Sequence, residues 1–460
     1  MSMPHQMHRH DRDAEELTEA VIRYAVDRVR LDPPPLDAPR SAADLRRVVG
    51  RTVLPDGVGG AEALRLFAEV LAPACISVDH PRFLSFVPAA PTEASVLFDL
   101  VVGASSIYAG SWLEGAGAVF AENEALRWIA DSAGFPAEAG GVFVSGGTAG
   151  NLSALISARW AWRHGADGRH DRTRGLVVAS EGAHSSIAQA ARAMDADVVL
   201  VPAGATGRMT GPALADVLSG LSTADRDRVF AVVATAGTTN AGIVDDLAGV
   251  SQVVSEYDTW MHVDGAYGGA ALVAPSVRHR FDGIELADSF IVDPHKWLFA
   301  PFDSCALLYR DPRIARAAHT QQAEYLDVLH GDDDWNPSDY AHHLSRRARG
   351  LPLWFSLAAY GTDAYRDAVE STLEVARAGA DLIRRSDHLE LVLEPELSVL
   401  VFRRVGWGAE RYRSWSDAEL EAGRSFVVPT SWRGETVLRI CVVNPLTTVE
   451  DLAGLFDSLV

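Results

Sequence analysis

Residues 141 to 162 read GVFVSGGTAGNLSALISARWAW: a short run of β-branched and aromatic residues, the turn Ser145-Gly146-Gly147-Thr148, then a helical stretch from Ala149 to Trp162. Strand, glycine turn and helix in that order make one βα unit. The alternation repeats outward. Strands are predicted at Gly141 to Val144, Gly175 to Ala179, Val198 to Val201, Val229 to Ala234, Met261 to Val263, Phe290 to Val292 and Cys305 to Tyr309, with amphipathic segments such as Gly211 to Leu221 between them. Strands alternating with helices predict an α/β fold with a mostly parallel central sheet. In such sheets ligands sit beyond the carboxyl ends of the strands, so the residues just after each apolar run are the candidates for chemistry.

The flanks read differently. Residues 14 to 31 and Gly60 to Leu71 carry helical apolar spacing, broken at Asp32-Pro33-Pro34-Pro35 and at Pro73. Residues 1–85 are therefore an expected N-terminal helical arm, too poor in apolar surface for a private core, which packs on the main body or on a partner subunit of an intertwined dimer. Residues 86–350 form the expected large domain. The polar, aperiodic segment His319 to Ser345 is long for a compact domain and reads as a mobile active-site loop. Residues 351–460, with strands near Leu391 to Leu393, Val399 to Arg403 and Leu438 to Val443, read as a small C-terminal α+β domain.

Composition narrows the function classes. The chain has 460 residues, 48% apolar and 22% charged, the balance of a folded globular protein. Its 41 Lys plus Arg against 62 Asp plus Glu give a net charge of −21, a field that repels nucleic-acid phosphates and anionic lipid surfaces. Evenly spread carboxylates also simply keep a protein soluble. Cys75, Cys305 and Cys441 have neither CxxC nor metal-site spacing, which points to a reducing, cytoplasmic setting and no metal. The first sixteen residues lack the apolar core of a secretory signal, and the apolar runs Val96 to Val102 and Ala231 to Ala236 are too short to span a bilayer.

The densest chemical signal is Asp288-Ser289-Phe290-Ile291-Val292-Asp293-Pro294-His295-Lys296-Trp297, a strand running into a turn that presents a lysine. Lys296 is the sole lysine, since the other forty of the 41 cations are arginine, so side-chain amine chemistry must fall on it. Apolar neighbours ease loss of its proton and so formation of a Schiff base with a carbonyl cofactor. A surface lysine in an arginine-preferring chain is the plainer account. Thr148 and the free N–H groups of its βα turn can hold a phosphate, though such a turn is also an ordinary helix start. Asp264 follows the Met261 to Val263 strand, where a carboxylate could pair with a cation, or merely cap a turn. His184, beside Ser185 and Ser186, could hydrogen-bond and relay protons or serve as a helix N-terminal residue.

Taken in order, His80-Pro81 to Pro88, Ser145 to Thr148, Glu181-Gly182-Ala183-His184-Ser185-Ser186, Ala234 to Thr239, His262 to Tyr267, the lysine motif and Arg346-Arg347-Ala348-Arg349 resemble the group II pyridoxal-phosphate-dependent decarboxylases, above all their aromatic-amino-acid and glutamate members. The resemblance spans residues of about 80 to 360. It implies fold type I, the aspartate-aminotransferase-like architecture, pyridoxal 5′-phosphate as cofactor, an L-amino acid as substrate and a cytoplasmic homodimer with shared active sites.

The resemblance also implies roles. Lys296 carries the cofactor; Thr148 and the Gly147 backbone take its phosphate; Asp264 pairs with the ring nitrogen; His184 and Ala266 face the ring; Thr239 and His295 line the cofactor and its lysine. Asp293 stands where animal members carry asparagine near the phosphate, and its carboxylate would repel the dianion unless it faces backbone donors. Tyr325 matches a loop tyrosine that protonates the product carbon, a residue commonly replaced by phenylalanine in related aldehyde synthases. Phe86, Val87, Pro88, Trp112 and Ser345 match stretches that line the side-chain pocket. Together these imply decarboxylation of an aromatic L-amino acid to the amine and CO₂. An oxygen-dependent aldehyde synthase, or a decarboxylase of an acidic, aliphatic or diamino acid, is the alternative.

Overall fold

Seven short strands assemble in the order β1-β7-β6-β5-β4-β2-β3: β1 Gly140–Val144, β2 Leu176–Ser180, β3 Asp197–Val201, β4 Val229–Thr235, β5 Trp260–Asp264, β6 Ser289–Val292 and β7 Cys305–Tyr309. Each lies within two residues of the segment its sequence predicts. The computed structural model describes residues 6–8, 10–165, 173–321 and 335–460. β2, β3, β4, β5 and β6 run parallel, while β7 is antiparallel to both β1 and β6.

Every residue of β2, β4, β5, β6 and β7 is buried, as expected of strands covered on both faces. Their side chains alternate between two cores. Val178, Val232 and Ala234 join the helices Trp112–Ala133 and Leu247–Glu256 on one face, while Val177, Ala179, Ala231 and Val233 join Gly147–His164 and Ser185–Ala193 on the other.

A second sheet, β10-β11-β9-β8, is antiparallel and is built from β8 Leu389–Leu391, β9 Val399–Arg404, β10 Pro429–Trp432 and β11 Glu435–Cys441. The helices Thr362–Arg385 and Val449–Asp457 add Ala376, Ala380, Leu452 and Phe456 to its core. Sequence periodicity places β8 two residues late and β11 three residues late, and misses β10, an edge strand that opens on proline and carries polar side chains.

Near the N-terminus the helices Arg12–Val29 and Ala42–Val49 bury no residue, and Leu17, Val21 and Ile22 remain about two-fifths exposed. Among the described residues no helix is long and apolar enough to cross a membrane.

Candidate active site

The carboxyl ends of β1, β4, β5 and β6 surround a cavity of about 390 Å³. Gly147, Thr148, His184, Thr239, Asp264, Ala266, Asp293, His295 and Lys296 all line it, so the fold gathers segments spread over some 150 residues at the place where parallel sheets bind ligands.

Local sequence explains each placement. The helix Gly147–His164 starts directly after β1, and among the described residues no side chain caps its N-cap, Gly146. Its first N–H groups and its positive dipole end therefore face the cavity as an anion cradle. A Cβ at Gly147 would lie 3.2 Å from Ala266 Cβ and 3.3 Å from Asp293 Oδ2, so a side chain here would have to push both neighbours back by a few tenths of an ångström. Thr239 is reached through a tight turn at Gly237, whose φ of +105° and close approach to Gly268 also exclude a side chain.

Asp264 ends β5. Its Oδ1 accepts from the Ala266 N–H at 3.1 Å and its Oδ2 from Asn151 Nδ2 at 2.9 Å. The carboxylate is 4% exposed and directed into the cavity wall. Lys296 sits on the short helix Pro294–Trp297, its Nζ 2.8 Å from Asp293 Oδ2. Burial pushes this amine down, but the charge and hydrogen bond of Asp293, with Asp264 behind them, outweigh it and hold the amine above its ordinary value. This corrects the expectation that its neighbours ease proton loss: a carboxylate in contact outweighs apolar surroundings. Asp293 likewise meets the lysine rather than backbone donors. His295 accepts from the Ser304 N–H through Nδ1 at 3.1 Å, and burial pushes it down despite the nearby Asp293.

Other expected residues lie elsewhere. Tyr325 falls outside the described residues, as do residues 322–334 of the long polar loop as a whole. Phe86, Val87, Pro88, Trp112 and Ser345 are not among the described residues lining the cavity. Phe86 is 62% exposed, Val87 packs against the main core, Pro88 is buried and Ser345 is exposed. Trp112 opens a helix, its N–H donating to Asn336 Oδ1 at 2.9 Å. Arg346, from the arginine block, is structural: it forms two hydrogen bonds of 2.7 and 2.8 Å with the buried Glu122.

Sequence reading missed three contributors. Asn151, on the second turn of the helix Gly147–His164, donates to both Asp264 and Ser186. His262 points to the same side of β5 as Asp264, as the two-residue spacing requires, and bonds Asn151 Oδ1 at 2.8 Å. That spacing was the available signal. Arg439, on β11, donates to the Phe86 carbonyl and, at 2.7 Å, to the Thr239 carbonyl, tying the Leu84 to Pro88 segment to the cavity wall; nothing in its local sequence marks it.

An anion cradle, a carboxylate and a lysine converging on one cavity match the phosphate, ring nitrogen and carbonyl of pyridoxal phosphate. The comparisons agree. The model of the pyridoxal-dependent decarboxylase conserved domain matches residues 63–405. An aromatic-L-amino-acid decarboxylase of Bacillus atrophaeus is 29% identical over 391 residues, 82% of this chain and 79% of that protein. An L-2,4-diaminobutyrate decarboxylase of Rhizobium meliloti is 32% identical over 423 residues, 88% of this chain and 83% of that protein. The crystal structure of Oryza sativa TDC with PLP and tryptamine superposes with a TM-score of 0.89, covering 100% of this chain and 98% of that one at 24% identity.

Proposed function

Because the chain belongs to the pyridoxal-dependent decarboxylase family, whose members are PLP-dependent carboxy-lyases of amino acids, we propose that it converts an aromatic L-amino acid to the corresponding amine and CO₂. The observation that carries this reading is the convergence of Lys296, Asp264, His184 and the uncapped helix start at Gly147 on one cavity. When bound, pyridoxal phosphate supplies an electron sink for the pair left at Cα as CO₂ departs.

The chain's own residues supply the rest. Gly147 and Thr148 would bind the phosphate, with His295 nearby and the Asp293 carboxylate turned to the lysine amine instead. Asp264 keeps the ring nitrogen protonated, since a buried carboxylate favours the cation. His184 and Ala266 bound the ring, and Thr239 closes the wall. Lys296 would hold the group through its carbonyl carbon and is the amine available to take it back after turnover. Tyr325 would return a proton to Cα.

An aromatic side chain suits the apolar material beside the cavity. The ring of Phe302 lies 4.9 Å from His295, and Arg439 ties the segment bearing Phe86 to Thr239. Val87, Pro88, Trp112 and Ser345 would complete the pocket with the partner subunit present. A homodimer is supported by the apolar residues Leu97, Leu100, Val101, Leu113 and Phe120, exposed along two successive helices. The domain division at about residues 85 and 350 and a cytoplasmic setting belong to the same proposal.

A second reading has one observation in its favour. Asp303 lines the cavity and could receive the side-chain ammonium of a diamino acid, although Arg349 already pairs with it at 2.9 Å. The deciding experiment incubates the protein and pyridoxal phosphate with a panel of L-amino acids and quantifies amine, CO₂, aldehyde and peroxide. Equal amine and CO₂ from an aromatic substrate is the expected result. Turnover confined to diamino acids would overturn the substrate, and aldehyde with peroxide would overturn the reaction.

A further inference from the structure

Asn151 stands where two buried hydrogen-bond chains meet, and the donor and acceptor types leave each link one direction. Trp260 Nε1 can only donate, and reaches Ser289 Oγ at 2.8 Å. Ser289, the register partner of His262 across β5 and β6, meets His262 Nδ1 at 2.8 Å, and His262 Nε2 meets Asn151 Oδ1 at 2.8 Å. An amide oxygen only accepts, so His262 carries its proton on Nε2 and accepts from Ser289 on Nδ1. Full burial pushes this imidazole well below its ordinary value, against the raising influence of Asp264, which agrees with a neutral ring.

The other end of the amide faces the site. One Nδ2 hydrogen goes to Asp264 Oδ2 and the other to Ser186 Oγ, each at 2.9 Å. With that acceptance made, the Ser186 hydroxyl turns its own hydrogen to His184 Nδ1 at 2.8 Å, and the Ser186 N–H points to the same nitrogen at 3.2 Å. His184 Nδ1 is therefore an acceptor, and its ring proton lies on Nε2.

We propose that Asn151 is a positioning residue that couples Asp264 to His184: its two amide hydrogens hold the carboxylate and orient the Ser186 hydroxyl, which fixes His184 as the Nε2–H tautomer. The inference rests on the proposed function only for what Asp264 and His184 do. The hydrogen-bond directions stand without it.

The test uses the full-length holoenzyme labelled with ¹⁵N-histidine and loaded with cofactor labelled at its pyridine nitrogen. His184 is assigned among the fifteen histidines by its loss in His184→Gln. In the unsubstituted protein we expect the Nε2–H pattern at His184. Asn151→Asp keeps the shape but turns donors into acceptors. The Ser186 hydroxyl should then swing away, shifting the His184 Nδ1 signal and the pyridine ¹⁵N signal together, with cofactor affinity weakened roughly ten- to hundredfold.

Ser186→Ala should shift the His184 signal and leave the pyridine signal in place, and it decides the matter if Asn151→Asp does not fold. A proton on His184 Nδ1, or His184 signals indifferent to Ser186→Ala, would overturn the inference. These signals are read without turnover, so failure of every amino acid on the panel would count against the proposed function alone.

Discussion

Lys296 Nζ lies 2.8 Å from Asp293 Oδ2, one helical turn apart. Burial acts to lower the lysine, and the carboxylate more than reverses it. Asp293→Asn removes that charge and leaves burial to act, so the lysine should shed its proton at lower pH. Capture of pyridoxal phosphate needs the unprotonated amine. Mixing apo-protein with cofactor and following absorbance should therefore show faster capture at neutral pH in the variant and a pH profile displaced toward acid. Slower capture would mean that Asp293 accepts the proton rather than merely holding it in place.

Lys296→Ala removes the chain's sole lysine. Phosphate binding at Gly147 and Thr148 should persist, because neither touches the substituted atoms, but no covalent attachment can form. Borohydride reduction of the loaded protein should fix one cofactor per chain in the unsubstituted protein and none in the variant. Turnover should fall by about 10³-fold or more.

The pair Glu122–Arg346 tests stability away from the site. The side chains are 3% and 0% exposed, and Glu122 Oε1 also accepts from the Gly350 N–H at 2.8 Å. Glu122→Ala would leave a buried guanidinium without its carboxylate, a loss of about 3–5 kcal/mol. Urea unfolding should show that drop. The double substitution Glu122→Leu with Arg346→Met should recover much of it, because it removes both charges together.

The central sheet was legible because its strands are nearly continuous apolar runs separated by glycine turns, and the cofactor cluster was legible because its residues follow those runs directly. Asn151 was not, since a polar residue inside a helix reads as solvated until the strand it packs against is known. The state of Lys296 was hidden for a related reason: whether Asp293 or the apolar neighbours prevails depends on a 2.8 Å distance. Arg439 belongs to a distant strand, and only the tertiary fold brings it to Thr239.

His319 gives a pH prediction free of the site. It ends the helix Pro312–His319, buried, with Nε2 3.0 Å from the Ser153 carbonyl and 3.2 Å from Ser157 Oγ. Burial pushes it down from 6.5 to about 4, against the Ser153 contact. A histidine depressed in the folded state contributes stability that is present above its unfolded value and is lost as pH falls toward the folded one. The window is therefore about pH 6.5 to 4. Asp245, pushed up to about 7 by burial, and Asp288, pushed up to about 6, work in the opposite direction, so the whole-protein profile blends the two. The difference between proteins isolates His319. His319→Gln should be less stable than the unsubstituted chain at pH 7.5, and the gap should close by about 3 kcal/mol by pH 4. Parallel urea titrations at each pH measure it. A gap independent of pH would mean that His319 titrates alike in the folded and unfolded chains, and that the carbonyl of Ser153 holds a protonated ring.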